Sequence, residues 1–91
     1  MSDVRDNAEK HQFELVVEGY TALAAYRLQS GVITFTHTEV PKELGGRGIG
    51  SALAKGALDQ VRERGLKVIP LCPFIKAYIE KNPGYQDLLA Q

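Results

Sequence analysis

The chain has 91 residues, enough for one domain around one hydrophobic core and too few for a second lobe. Basic and acidic residues number 11 each, so no positive surplus exists to drive sequence-independent binding to nucleic acid or an anionic membrane, and any bound anion must be held locally. The single cysteine, Cys72, excludes an internal disulfide, argues against a structural zinc site in a chain with two histidines, and fits a reducing cytoplasm. No run approaches the roughly 18 to 20 apolar residues of a membrane span, and the opening MSDVRDNAEKHQ has no apolar stretch behind a basic one, so neither a span nor a leader is expected.

Residues 1–11 are polar and aperiodic and are expected to form a flexible tail ahead of one domain spanning residues 12–91. From Phe13 the chain alternates: Phe13, Leu15 and Val17 share one side of a strand until Gly19 interrupts. Tyr20 to Leu28 reads as a second strand, Gln29-Ser30-Gly31 as a turn, and Val32 to Val40 as a third strand with Ile33, Phe35 and His37 on one face. Three strands joined by short turns make an antiparallel meander. Pro41 ends the third strand by removing a backbone donor. Beyond it the period changes to 3.6, with Ile49, Ala52, Leu53, Gly56, Ala57 and Val61 on one face of a helix that Gly65 stops. The apolar run 66–71 predicts a buried strand parallel to the third, with Pro70 either on an unpaired side or at its end. Pro73 suits the first turn of a second helix, on which Phe74, Ala77, Tyr78 and Lys81 share a face, and Asn82-Pro83-Gly84 stops it. Tyr85, Leu88 and Leu89 are then available to dock back. The fold class is α/β: a meander followed by strand, loop, helix, strand and helix, with two parallel strands. An exposed sheet edge would allow a monomer or a weak homodimer.

Between the third strand and the first helix lies GGRGIGS, residues 45–51, with four glycines in seven positions. A loop there sets unsatisfied amides beside the positive end of a helix dipole, which is an anion site suited to phosphate. Glycine permits positive φ and close approach of a ligand to the backbone, which accounts for Gly46, Gly48 and Gly50 together. Ser51 can cap or donate, and Arg47 adds positive charge. A nucleoside triphosphate loop has the spacing of Gly45 and Gly50 but requires lysine where Ser51 stands. A dinucleotide loop requires glycine at that same position, and a longer chain after it than this one has.

The remaining pattern resembles the pyrophosphate loop of the GNAT superfamily of acetyltransferases, where a glutamine or arginine is followed by two residues, a glycine, one residue and then glycine or alanine. Gly48 and Gly50 occupy the two small positions, Gly45 stands at the first, and Arg47 is the nearby charge. The stretch HTEVPKELGGRGIGSAL, with VIPLCPF and NPGY after it, is similar to the minimal single-domain GNAT-like subfamily over residues 13–89. The resemblance implies acetyl-coenzyme A as cosubstrate, its pyrophosphate on the amides of residues 46–51, and its pantetheine arm between splayed strands at 32–40 and 66–71. It assigns coenzyme contacts to Val40, Gly46, Arg47, Gly48, Ile49, Gly50, Ser51, Cys72 and Tyr78. It also implies acetyl transfer to an amine, on a small molecule or a protein, that the sequence does not identify.

Acetyl transfer to an amine needs a base for the ammonium proton and an acid for the leaving thiolate. Cys72 falls at the carboxyl end of the last strand, just before a helix whose dipole favours a thiolate, and at the end of parallel strands where α/β sheets bind ligands. It can accept the acetyl group covalently, contact the coenzyme, or serve as a small buried hydrophobe. His37 and Glu39 precede the loop on the third strand, where the superfamily often places a base. Ile79 occupies the position of the family's catalytic tyrosine, and Tyr78 is one residue from it, about 100° around a helix. Two other readings remain open: a non-catalytic acyl-coenzyme A binding or sensing module, and an interaction domain whose loop holds another phosphate.

Overall fold

The computed structural model describes residues 3–90. One mixed sheet carries five strands in the order β1-β2-β3-β4-β5: β1 Arg5–Asn7, β2 Gln12–Val17, β3 Tyr20–Gln29, β4 Val32–Glu39 and β5 Lys67–Pro70. Helix α1, Ile49–Glu63, connects β4 to the parallel β5, and α2, Pro73–Lys81, follows. The α/β architecture therefore matches the order of elements read from the sequence.

The meander is set by two tight turns. Glu18-Gly19 and Ser30-Gly31 both hold positive φ at each central residue, the geometry whose twist matches a two-residue hairpin, and they register Val17 against Tyr20 and Gln29 against Val32. That register sends Phe13, Leu15, Ala22, Ala24, Tyr26, Ile33 and Phe35 to one side, where they are buried. The small side chains of Ala22 and Ala24 leave room for α1, which crosses β2 and β3 and buries Leu53, Ala54, Ala57, Leu58 and Val61. Phe13 and Phe35, both fully buried, pack with ring centroids 6.0 Å apart, and removing each from water stabilises the fold by about 2–3 kcal/mol. Gly65, at φ 69°, ends α1 as expected, and Pro70 is the last residue of β5.

Three expectations change. The segment read as a tail contributes β1, which pairs with β2, while Val4 is only 5% exposed within the core. One apolar residue suffices because polar groups anchor the rest: Tyr26 donates to Asp6 at 2.6 Å, Arg64 pairs with Asp6 at 2.8 Å, and the Gln60 amide donates to the Val4 carbonyl at 2.7 Å. Residues 1 and 2 of that segment lie outside the described residues. On α1, Ala52 is exposed and Ala54 and Leu58 are buried, so the stripe is rotated from the one read. On α2, Ile75 and Ile79 form the buried stripe while Phe74, Ala77 and Lys81 are exposed, because the helix rests on the sheet and on α1 rather than on the sheet alone.

Both helices and the tail lie on one face of the sheet. The tail, a 3-10 turn over Pro83–Leu88, is tied to α1 by Tyr85 donating to Asp59 at 2.7 Å and by a double contact of Arg62 with Asp87 at 2.8 and 3.0 Å. Burial, with the hydrogen bond to a carboxylate second, pushes the phenols of Tyr26 and Tyr85 up from their ordinary value of 10 to about 12. Both sites favour the neutral phenol, so their contribution to stability is complete below pH 10 and is lost as pH rises toward 12. Tyr26→Phe and Tyr85→Phe should each remove a phenolate absorbance step near pH 12 and flatten the fall of the urea midpoint above pH 10. Val4→Ala should lower the unfolding free energy by about 1.5 kcal/mol in the same urea assay, whereas a tail outside the fold would give no change.

Candidate functional site

The loop after β4 begins with Pro41 and a single 3-10 turn, Lys42–Leu44, anchored by the buried Leu44. Gly46 and Gly48 then take φ of 78° and 69°, and a Cβ on either would meet nothing within 4 Å, so glycine is required there by backbone conformation and not by crowding. Gly50 is different, for a Cβ there would lie 2.7 Å from Cζ of Phe74. The first helical bond of α1 runs from the Ala52 N–H to the Gly48 carbonyl at 3.0 Å. The amides of Ile49, Gly50 and Ser51 have no protein acceptor among the described residues, and no side chain caps them. They form an amide nest at the positive end of a 15-residue helix. Ser51 is exposed beside it. Arg47 reaches back to Glu18 in the β2–β3 turn at 3.0 Å, an exposed pair whose contribution is small enough to yield to a competing anion.

The ladder between β4 and β5 stops short of the end of β4. The two strands pair from Val32–Lys67 to Phe35–Pro70, and a last bond runs from the Cys72 N–H to the Phe35 carbonyl at 2.9 Å. Beyond it β4 is bonded only to β3. At this point β4 carries a bulge: Ala25 faces His37 but Tyr26 faces Phe35, which leaves Thr36 as the extra residue. Because the hairpin register gives the backbone groups of His37 and Glu39 to β3, those of Thr38 and Val40 turn toward the vacated side.

The bulge also corrects the placement of His37. Instead of continuing the face of Ile33 and Phe35, His37 and Glu39 point from the uncovered face of the sheet, more than half exposed, with Nε2 of His37 2.7 Å from the Glu39 carboxylate. Thr38 takes the inward position instead, its hydroxyl 3.0 Å from Sγ of Cys72 across the gap. Cys72 is the residue before α2 and is 4% exposed. Cys72 thus lies against Thr38 of β4, residues 46–51 follow that strand and open α1, and His37 and Glu39 stand on the other side of β4. Tyr78 packs against the tail instead. It stands one turn along α2, its ring 5.9 Å from that of Tyr85. The sequence does not single out Thr38, because the bulge that turns it inward leaves no mark on the alternation, and it gives Phe74 only as one of four residues sharing a face of α2. Among the described residues, no group of three or more histidine, cysteine, aspartate or glutamate side chains could hold a metal ion. No helix among them is long and apolar enough to cross a membrane.

A bulged strand, an amide nest on the helix that follows and a parallel partner strand that diverges define a GNAT-like α/β domain. The GCN5-related N-acetyltransferase family matches residues 12–88, and the chain belongs to it. It is similar to Protein NATD1 of Mus musculus, with 36% identity over 93% of this chain and 80% of that protein. Protein NATD1 of Xenopus tropicalis is 35% identical over 93% of this chain and 81% of its own length. The NMR solution structure of a GCN5-like protein from Staphylococcus aureus superposes with a TM-score of 0.72 at 34% identity, over 99% of this chain and 91% of that one.

The conformational demand at Gly48 can be measured without any ligand. Gly48→Ala should cost about 1–2 kcal/mol in urea unfolding, because the Cβ meets a positive φ and no neighbour. Gly84→Ala, where φ is not positive and space is equally open, should be close to neutral.

Proposed function

We propose that the chain is an acetyl-coenzyme A-dependent N-acetyltransferase acting on an amine, carried by a small molecule or a protein. The observation that carries this reading is the row of unpaired amides at Ile49, Gly50 and Ser51, at the start of the helix that follows β4. A pyrophosphate supplies the acceptors that Ile49, Gly50 and Ser51 lack, and Gly46 and Gly48 let it approach the backbone. The backbone groups of Thr38 and Val40 offer a ladder edge to an extended arm. Coenzyme A, when bound, supplies the acetyl thioester. On this reading His37, whose Nε2 lies 2.7 Å from the Glu39 carboxylate, takes the proton of an ammonium arriving at the uncovered face. The Cys72 thiol, beside Thr38 in the gap, either takes the acetyl group itself or lines the site.

A second reading, an acyl-coenzyme A binding or sensing module without transfer, is favoured by one feature. Gly45 stands extended, with φ −60° and ψ 144°, where larger relatives carry a glutamine or arginine donor.

Titration with coenzyme A and acetyl-coenzyme A, followed by calorimetry or NMR shifts, should show saturable binding with the largest shifts at residues 46–51 and 36–40. Gly48→Val should weaken it by about tenfold or more, since a β-branched side chain resists positive φ. No binding at millimolar ligand would overturn both readings. An acetyl adduct on intact protein that Cys72→Ala abolishes would establish the covalent route, and turnover in Cys72→Ala would exclude it. Binding without transfer to any amine, across small molecules and peptides, would leave the sensing module.

A further inference from the structure

Glu18 is a residue that its own turn does not favour. It is the first central residue of the two-residue turn between β2 and β3 and holds φ of 52°, a conformation that glycine, asparagine and aspartate adopt more readily than a longer side chain does. Its carboxylate makes a contact outside the turn, with Nη1 of Arg47 at 3.0 Å. Arg47 is fixed at its root, because Gly46 and Gly48 on either side hold φ of 78° and 69°. The two segments are also neighbours through their apolar side chains, since Val17, beside Glu18, and Ile49, the first residue of α1, line one cavity of about 480 Å³.

That contact has a direction and a charge. In the sheet, β2 is separated from β5 by β3 and β4, so Glu18 draws the guanidinium toward the side of the domain away from β5. Residues 42–51 carry two basic side chains, Lys42 and Arg47, and one acidic, Glu43, which leaves the loop a single positive charge that Glu18 cancels. The loop therefore presents the unpaired amides of residues 49–51 with its one arginine already occupied. We propose that Glu18 is an internal competitor for this anion site, occupying the Arg47 guanidinium until a diphosphate on those amides displaces it. The proposal rests on the reading of the amides as a pyrophosphate site. Displacement is open to such a ligand because the two side chains are 46% and 64% exposed, and an exposed ion pair contributes little. A diphosphate also offers the guanidinium paired oxygens and more charge than one carboxylate does.

Calorimetric titration of wild type, Glu18→Gln, Arg47→Gln and the double variant with coenzyme A and with inorganic pyrophosphate tests it. Glu18→Gln should tighten both ligands about threefold, the size of an exposed ion pair, and Arg47→Gln should weaken both. In the double variant the gain should vanish, because no guanidinium is left to release. Glu18→Asn, which suits the positive φ, should give the same gain. Glu43→Gln removes the same charge from the loop while the Glu18–Arg47 contact stands, and it should leave both affinities unchanged. An unchanged or weaker affinity in Glu18→Gln would overturn the proposal. So would an undiminished gain in the Arg47→Gln background or an equal gain from Glu43→Gln, either of which would mean general charge repulsion and not competition for one side chain. Pyrophosphate binding without coenzyme A binding would remove the coenzyme reading alone, and the cycle on pyrophosphate would then decide the role of Glu18. Absence of wild-type binding to either ligand would overturn both.

Discussion

Strands β4 and β5 are held parallel by a ladder that ends where the Cys72 N–H meets the Phe35 carbonyl, and neither strand can extend it. On the β5 side, Pro70 and Pro73 have no N–H to offer, and the chain between them turns into α2. On the β4 side, the extra residue Thr36 bends the strand at the same level. The two causes are independent and act together, so the strands separate at one point. The separation leaves the backbone of Thr38 and Val40 without a neighbouring strand, an arrangement that buried β-structure ordinarily avoids because unpaired ladder groups are costly. Such an edge is well suited to an extended ligand that brings its own donors and acceptors.

The glycines of the loop answer two different demands. At Gly46 and Gly48 the backbone enters the left-handed region with open space around it, which points the following amides in one direction. At Gly50 the backbone is ordinary helix, and a Cβ there would lie 2.7 Å from the tip of the Phe74 ring. The first demand orients a row of amides, and the second keeps the first turn of α1 clear of a side chain from α2. Arg47 belongs to neither, since it makes only an exposed contact with Glu18, whose contribution is small.

What could be read from the sequence follows the range of the interactions involved. The two hairpins, the helix stop at Gly65, the end of β5 at Pro70 and the start of α2 at Pro73 are all dictated within a few residues, by φ preferences and missing donors, and all were legible. The glycine loop was legible because its demand is also local. The place of Val4 was not, for one apolar residue in a polar stretch acquires its role only when Gln60 meets its carbonyl and Tyr26 and Arg64 hold the nearby Asp6 from distant positions. The orientation of His37 was lost for a related reason. Alternation assigns faces correctly until a single extra residue reverses them, and the bulge at Thr36 is decided by the pairing with β3 and not by any residue type at 36. The rotated stripes of both helices reflect neighbours the periodicity does not contain.

That reversal has a functional consequence under the proposed reading. Without the bulge, His37 would continue into the core face and Thr38 would point outward. With it, the strand presents Thr38 and the Cys72 thiol inside the gap, while the imidazole and Glu39 stand on the uncovered face. A coenzyme held from the helix side and an amine arriving from the open side would then meet across β4. The open side has little to enclose an acceptor: Val16 is 58% exposed, and Ile69 and Leu71 are 39% and 66% exposed, with no helix over them among the described residues. On that reading, coenzyme binding would be concentrated in a compact, strongly constrained part of the chain, whereas acceptor selection would rest on exposed apolar side chains and one charged pair, so a small domain of this kind would constrain its cosubstrate more tightly than its amine.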